Sequence, residues 1–120
     1  MSFFNFLKKN DDTKWFRLFD HKEDTEKNIE LNNAITVQIE NIKICVARTP
    51  KGYFAVSDEC PHQGVSLSKG MCTIDNEIKC PVHGYKFDLK TGKETGDRDS
   101  DLKVYKVELR KNGLFIGIPK

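Results

Sequence analysis

The chain has 120 residues, of which 38% are hydrophobic and 32% charged, with a formal net charge of +2. That length suits one domain with one modest core, and the balance excludes the low-apolar composition of a disordered chain. The small net charge singles out neither nucleic acid nor an anionic membrane as a partner, and no apolar run approaches the roughly 18 residues needed to span a bilayer.

In chain order, residues 1–13 carry no clear period and read as a flexible N-terminal tail. Its apolar part is short and Lys8 and Lys9 follow it, the wrong order for a targeting segment, so the expected location is the cytoplasm. Residues 14–120 read as a single domain. Residues 15–19 form an aromatic strand candidate, and the polar stretch 20–28 a loop with room for a helical turn. Residues 35–40 alternate apolar and polar, as a half-buried strand does. Asn41 punctuates, and residues 42–47 form the next strand. A turn at 49–52 leads into a strand at 53–56. Residues 71–74 and 77–79 read as two strands joined at Asp75-Asn76, and 85–89 as another, closed by Lys90-Thr91-Gly92. Residues 102–109 and 114–118 form a final hairpin around Lys111-Asn112-Gly113. Many short, regularly spaced strands predict an all-β sandwich or small barrel.

Two segments stand out: Cys60-Pro61-His62-Gln63-Gly64 and Cys80-Pro81-Val82-His83-Gly84. They use two of the three histidines and two of the four cysteines. Without a secretory signal, cysteines that keep company with histidine point to metal rather than disulfides. Each segment offers one thiolate and one imidazole. That donor set meets the need of a [2Fe–2S] cluster in which two cysteines hold one iron and two histidines the other. The same four residues also suit tetrahedral zinc, although zinc spacings usually pair Cys with Cys and His with His. The glycines let backbone fold tightly around a cluster, and the prolines stiffen the loops after the cysteines.

These two boxes closely resemble those of Rieske iron–sulfur proteins, and the resemblance runs from about Trp15 to Ile118. It implies an antiparallel β-sandwich with a small cluster-binding subdomain at its tip. It also implies that Cys60 and Cys80 ligate the buried iron, and His62 and His83 the exposed one. High-potential members carry an extra cysteine in each box and hydroxyl donors after the second. Here the matching positions are Val65 and Val82, then Tyr85 and Phe87. Gly64, Gly84, Tyr85 and Phe87 are therefore expected around the ligands, with a potential at the low end of the Rieske range, about −150 mV. The free ring nitrogens of the two histidines titrate, so the potential is expected to fall at alkaline pH.

Only His21 remains once a cluster is served, so no mononuclear-iron set is left for oxygenase chemistry. The expected role is a monomeric one-electron carrier, itself not an enzyme. By resemblance it would pass electrons from a reductase to an oxygenase through transient docking. The alternative is a small Rieske subunit of a larger reductase complex. Cys45 and Cys72 read as core or adventitious thiols, and Trp15, Phe16 and Phe19 as core. Asp97, Asp99 and Asp101, with Glu108 at the twelfth position, resemble a calcium loop, but Leu102 stands where glycine is needed. Phe3, Phe4, Phe6 and Leu7 are left between tail docking, partner docking and fraying. Lys69 and Lys86 are candidates for rimming the cluster end and steering an acidic partner. Pro61, Gln63 and Pro81 are expected at the cluster-loop surface.

Overall fold

The computed structural model describes residues 13–61, 64–82, 84–96 and 101–119. Nine strands and one helix follow in order: β1 (Thr13–Arg17), α1 (Lys22–Asn28), β2 (Asn33–Ile39), β3 (Ile42–Thr49), β4 (Gly52–Ser57), β5 (Met71–Cys72), β6 (Glu77–Lys79), β7 (Lys86–Asp88), β8 (Val104–Arg110) and β9 (Gly113–Pro119). A six-stranded antiparallel sheet has the order β1-β9-β8-β4-β3-β2, and a three-stranded sheet the order β5-β6-β7. The expected all-β fold and the final hairpin are both present.

β3 shows why two cores form. Its residues 44–47 are all buried, which a strand with one solvated face does not allow. Ile44 and Val46 point into a cluster with Ala55, Leu114, Ile116 and Ile118. Cys45 and Ala47 point the other way, into a cluster with Val56, Leu67, Ile78, Phe87 and Leu89. The period of two therefore sends alternate side chains to opposite faces. The second cluster glues the three-stranded sheet to the larger one. Cys45 is core, as expected, and burial, with lesser contributions from Asp58 and Cys72, pushes its thiol up.

Three boundaries differ from expectation. Thr13 is not tail but the first residue of β1, paired with Pro119. The stretch 20–28 is mostly helix; only Thr25 and Ile29, four apart, bury from it, too little for an apolar period to show. The Arg48 guanidinium donates to the Glu26 and Ile29 carbonyls and so holds its C-terminal end. The strand expected over 71–74 stops at Cys72, because Thr73 and Asn76 close a turn that leaves Ile74 almost fully exposed.

At the β8–β9 turn, Gly113 has φ +129°, and a Cβ there would lie 1.8 Å from the Phe19 carbonyl oxygen. Close backbone approach makes glycine obligatory here. Across the large sheet, Lys14 on β1 pairs with Glu40, just past β2, at 3.1 Å. Among the described residues no helix is long and apolar enough to cross a membrane.

Candidate metal centre

Cys60 and Cys80 open two loops with the same backbone plan. In the first, the Cys60 N–H donates to the Val65 carbonyl at 2.9 Å and the Gly64 N–H to the Cys60 carbonyl at 2.7 Å. In the second, the Cys80 N–H donates to the Tyr85 carbonyl at 2.7 Å and the Gly84 N–H to the Cys80 carbonyl at 3.1 Å. The residues flanking each loop also pair: Glu59 with Ser66, and Lys79 with Lys86. Gly64 and Gly84 take φ +74° and +72°, the left-handed region that glycine enters at least cost.

The two loops are therefore the same length. C-x-H and C-x-x-H differ only in which position of a shared ring carries histidine. The glycine four residues after each cysteine is the sequence mark of that equivalence, and it goes unread when spacing is counted to the histidines.

Neither cysteine is in a disulfide; each is 1% exposed, and both belong to the core cluster that contains Leu67, Ile78 and Phe87. Val65 and Tyr85 pack against that cluster from the loops. Phe87, fully buried, faces Ile78 across the β6–β7 ladder. Pro61 and Pro81 are exposed. His62, Gln63 and His83 lie outside the described residues, as do Asp97, Asp99, Phe3, Phe4, Phe6 and Leu7. Glu108, the other end of the calcium-like spacing, is an exposed β8 residue paired with Arg110 at 2.5 Å.

The first loop is pinned by a group that sequence reasoning missed. Asp58 is 3% exposed. Its carboxylate accepts from the Thr36 hydroxyl at 3.0 Å, the Ser66 hydroxyl at 2.5 Å and the Ser68 N–H at 2.9 Å. The Thr36 and Ser68 hydroxyls also bond each other. A buried carboxylate with this many donors is satisfied, and it ties the loop to β2. The donors come from β2 and from the turn at Leu67–Lys69, which no local motif links to Asp58. Glu94, fully buried, was also missed; it accepts the Gly96 N–H at 2.8 Å and bridges to Phe87.

The Rieske [2Fe–2S] domain model matches residues 19–106, a span that contains both loops and both buried cysteines. The chain belongs to the Rieske [2Fe–2S] domain family. It is 35% identical over 69 residues to the 3-phenylpropionate/cinnamic acid dioxygenase ferredoxin subunit of Shigella flexneri serotype 5b (strain 8401), an alignment covering 57% of this chain and 65% of that protein. The chain thus spans just under two thirds of that relative's length. Among solved structures, the ferredoxin of carbazole 1,9a-dioxygenase from Nocardioides aromaticivorans IC177 superposes with a TM-score of 0.74 at 21% identity, covering 89% of this chain and 99% of that one. A chain from the complex of reduced oxygenase and oxidised ferredoxin in carbazole 1,9a-dioxygenase gives 0.71 at 24% identity, covering 84% and 99%. At those identities the two structures establish a shared fold.

The donor chemistry of this Rieske domain fits the group its family binds. Thiolates are the ligands an iron–sulfur cluster needs, and here both sit at the floor of their loops among apolar side chains. Opposite each glycine stands the side chain of the residue before the cysteine, Glu59 for Gly64 and Lys79 for Gly84. The two flanks of the site therefore carry opposite charge.

Proposed function

We propose that this Rieske domain is a one-electron carrier, itself without catalytic activity, in which Cys60, His62, Cys80 and His83 hold a [2Fe–2S] cluster. The observation that carries the reading is the pair of congruent loops, each opening on a buried cysteine outside any disulfide. The cluster, when bound, supplies one-electron chemistry. The chain's own residues do the rest. Burial of Cys60 and Cys80 keeps water from their sulfurs. The positive-φ glycines turn each loop back on its cysteine. Val65 and Val82 leave the loops without a bridging disulfide, and Phe87 has no hydroxyl to donate toward a ligand sulfur. Fewer donors to sulfur stabilise the reduced state less, which puts the potential near about −150 mV.

By similarity to the dioxygenase ferredoxin subunit, the carrier passes electrons to an oxygenase or related oxidoreductase. We further infer a reductase as its electron source, a monomeric state and a cytoplasmic location. Iron and acid-labile sulfide analysis with an absorbance spectrum tests the ligand set. The expected protein is red-brown with iron and sulfide in equal amounts. Reduced, it gives an electron paramagnetic signal averaging below the free-electron value. Colourless, folded protein made with ample iron and sulfur would overturn the reading, and a titrated potential above zero would overturn the low-potential part.

A further inference from the structure

Lys79 sits directly between Met71 on β5 and Lys86 on β7. Directly opposed residues share one face of a sheet, so Met71, Lys79 and Lys86 form a row across all three strands. All three are exposed, whereas the next row, Cys72, Ile78 and Phe87, faces the core. The outer row ends at the Cys80 loop, because Lys79 and Lys86 are the pair that closes it.

Two ammonium groups directly opposed across strands repel. Among the described residues neither Lys79, Lys86 nor Lys69 forms an ion pair, and the carboxylates that share their face, Glu77 and Asp88, stand two residues further from the Cys80 loop. Lys69 and Lys79 also line a concavity of about 450 Å³ with Met71, Val82 and Gly84. Met71 is 60% exposed and Val82 49%, so the hollow has an apolar floor beside a basic rim. Repelling charge and exposed apolar side chains meet at the one place where an electron carrier must be approached.

We propose that this face docks a redox-partner protein whose contact surface is acidic around an apolar centre. The inference rests on the carrier reading and names the chemistry of its partner. Carboxylates on the partner would separate Lys79 from Lys86 and relieve their repulsion, while Met71 and Val82 give up exposed area. Glu59 holds the matching position on the first loop, so an acidic partner is attracted to the Cys80 side and repelled from the Cys60 side. Docking is thereby oriented as well as steered.

The test uses holoprotein and two haem proteins as probes, cytochrome b5 with an acidic haem edge and cytochrome c with a basic one. One electron leaves the reduced carrier and turns ferric haem to ferrous, followed by stopped-flow absorbance. Carbodiimide coupling, which joins lysine amines to partner carboxylates, is mapped by mass spectrometry as a readout independent of electron transfer. Wild-type carrier is expected to react faster with cytochrome b5 at low salt, slow as salt rises, and couple through Lys69, Lys79 and Lys86. Lys79→Glu places opposite charges across the ladder, so its melting temperature should rise while its rate with cytochrome b5 falls about tenfold and that with cytochrome c increases. A purely structural role for Lys79 would move stability and docking together. The inference is overturned if Lys79→Glu and Lys86→Glu leave both rates unchanged, or if coupling maps elsewhere. Protein lacking the cluster spectrum would instead overturn the carrier reading on which it rests.

Discussion

β2 and β3 run side by side over seven paired positions, whereas β5 and β6 share two and β6 and β7 three. Apart from the two-position β4–β8 joint, the large sheet is held by repetition: ladders of five to seven positions and an alternating pattern in which no single side chain is decisive. The small sheet has no such redundancy. It is held by a fully buried Phe87 and by the backbone bonds of the Cys80 loop, while the Asp58 carboxylate pins the neighbouring Cys60 loop to β2. Its order is specified residue by residue, as a site that must place ligands requires.

The largest expected effect separates the two regions outright. Cys60→Ser or Cys80→Ser removes one of the two buried thiolates, and visible absorbance and iron content should be lost. Far-ultraviolet circular dichroism should persist, because the ladders of the large sheet do not involve either residue. Joint loss of both signals would show the two sheets to be one cooperative unit.

Phe87→Ala should cost about 3–5 kcal/mol in urea unfolding, the range for emptying a large aromatic site. It lies in the core shared by both sheets, so the whole transition should shift. Asp58→Ala comes next. It leaves two hydroxyls and the Ser68 N–H without their acceptor, for about 2–3 kcal/mol. Here amide exchange should sharpen the comparison, with Ser68 and Cys60 losing protection while β8 and β9 keep theirs.

The smallest effect is a pH dependence. Burial raises the Cys72 thiol from 9.0 to about 11. Between those values the folded chain keeps a proton that the unfolded chain releases, so Cys72 draws stability down as pH rises through that window and has no effect below it. Iodoacetamide labelling followed against pH checks this. Cys72, half-buried in the short β5, should be labelled before Cys45, which is fully buried in β3. Equal rates would mean that both sheets open together.

Much of this was readable in advance, and unevenly. The large sheet announces itself through alternation, as at residues 35–40, because a strand with one solvated face writes its period into the chain. β3 is harder, since its two buried faces make Ile44 to Ala47 a continuous buried run. The α1 helix left no apolar period because only Thr25 and Ile29 bury from it. At the site, the cysteine-histidine boxes point to the donors, and the glycines to turns. The hydrogen bonds to Asp58 were invisible because they reach it from Thr36 on β2 and from Ser66 and Ser68 on the far side of the Cys60 loop, none of them a local spacing motif. The charge row on β5-β6-β7 was half visible: Lys69 and Lys86 stand out as lysines near the boxes, but only the strand register puts Lys79 between Met71 and Lys86.

The contact between Lys14 and Glu40 joins the outermost strands of the six-stranded sheet, β1 and the end of β2. Exposed on both sides, the pair itself contributes little. What it records is curvature: the sheet bends enough for one end of each rim to come within reach of a side chain from the other. Open rims are where a foreign strand can add and start aggregation. Here the Lys14–Glu40 pair lays side chains across one end of each rim, where backbone would otherwise stand open to a foreign strand.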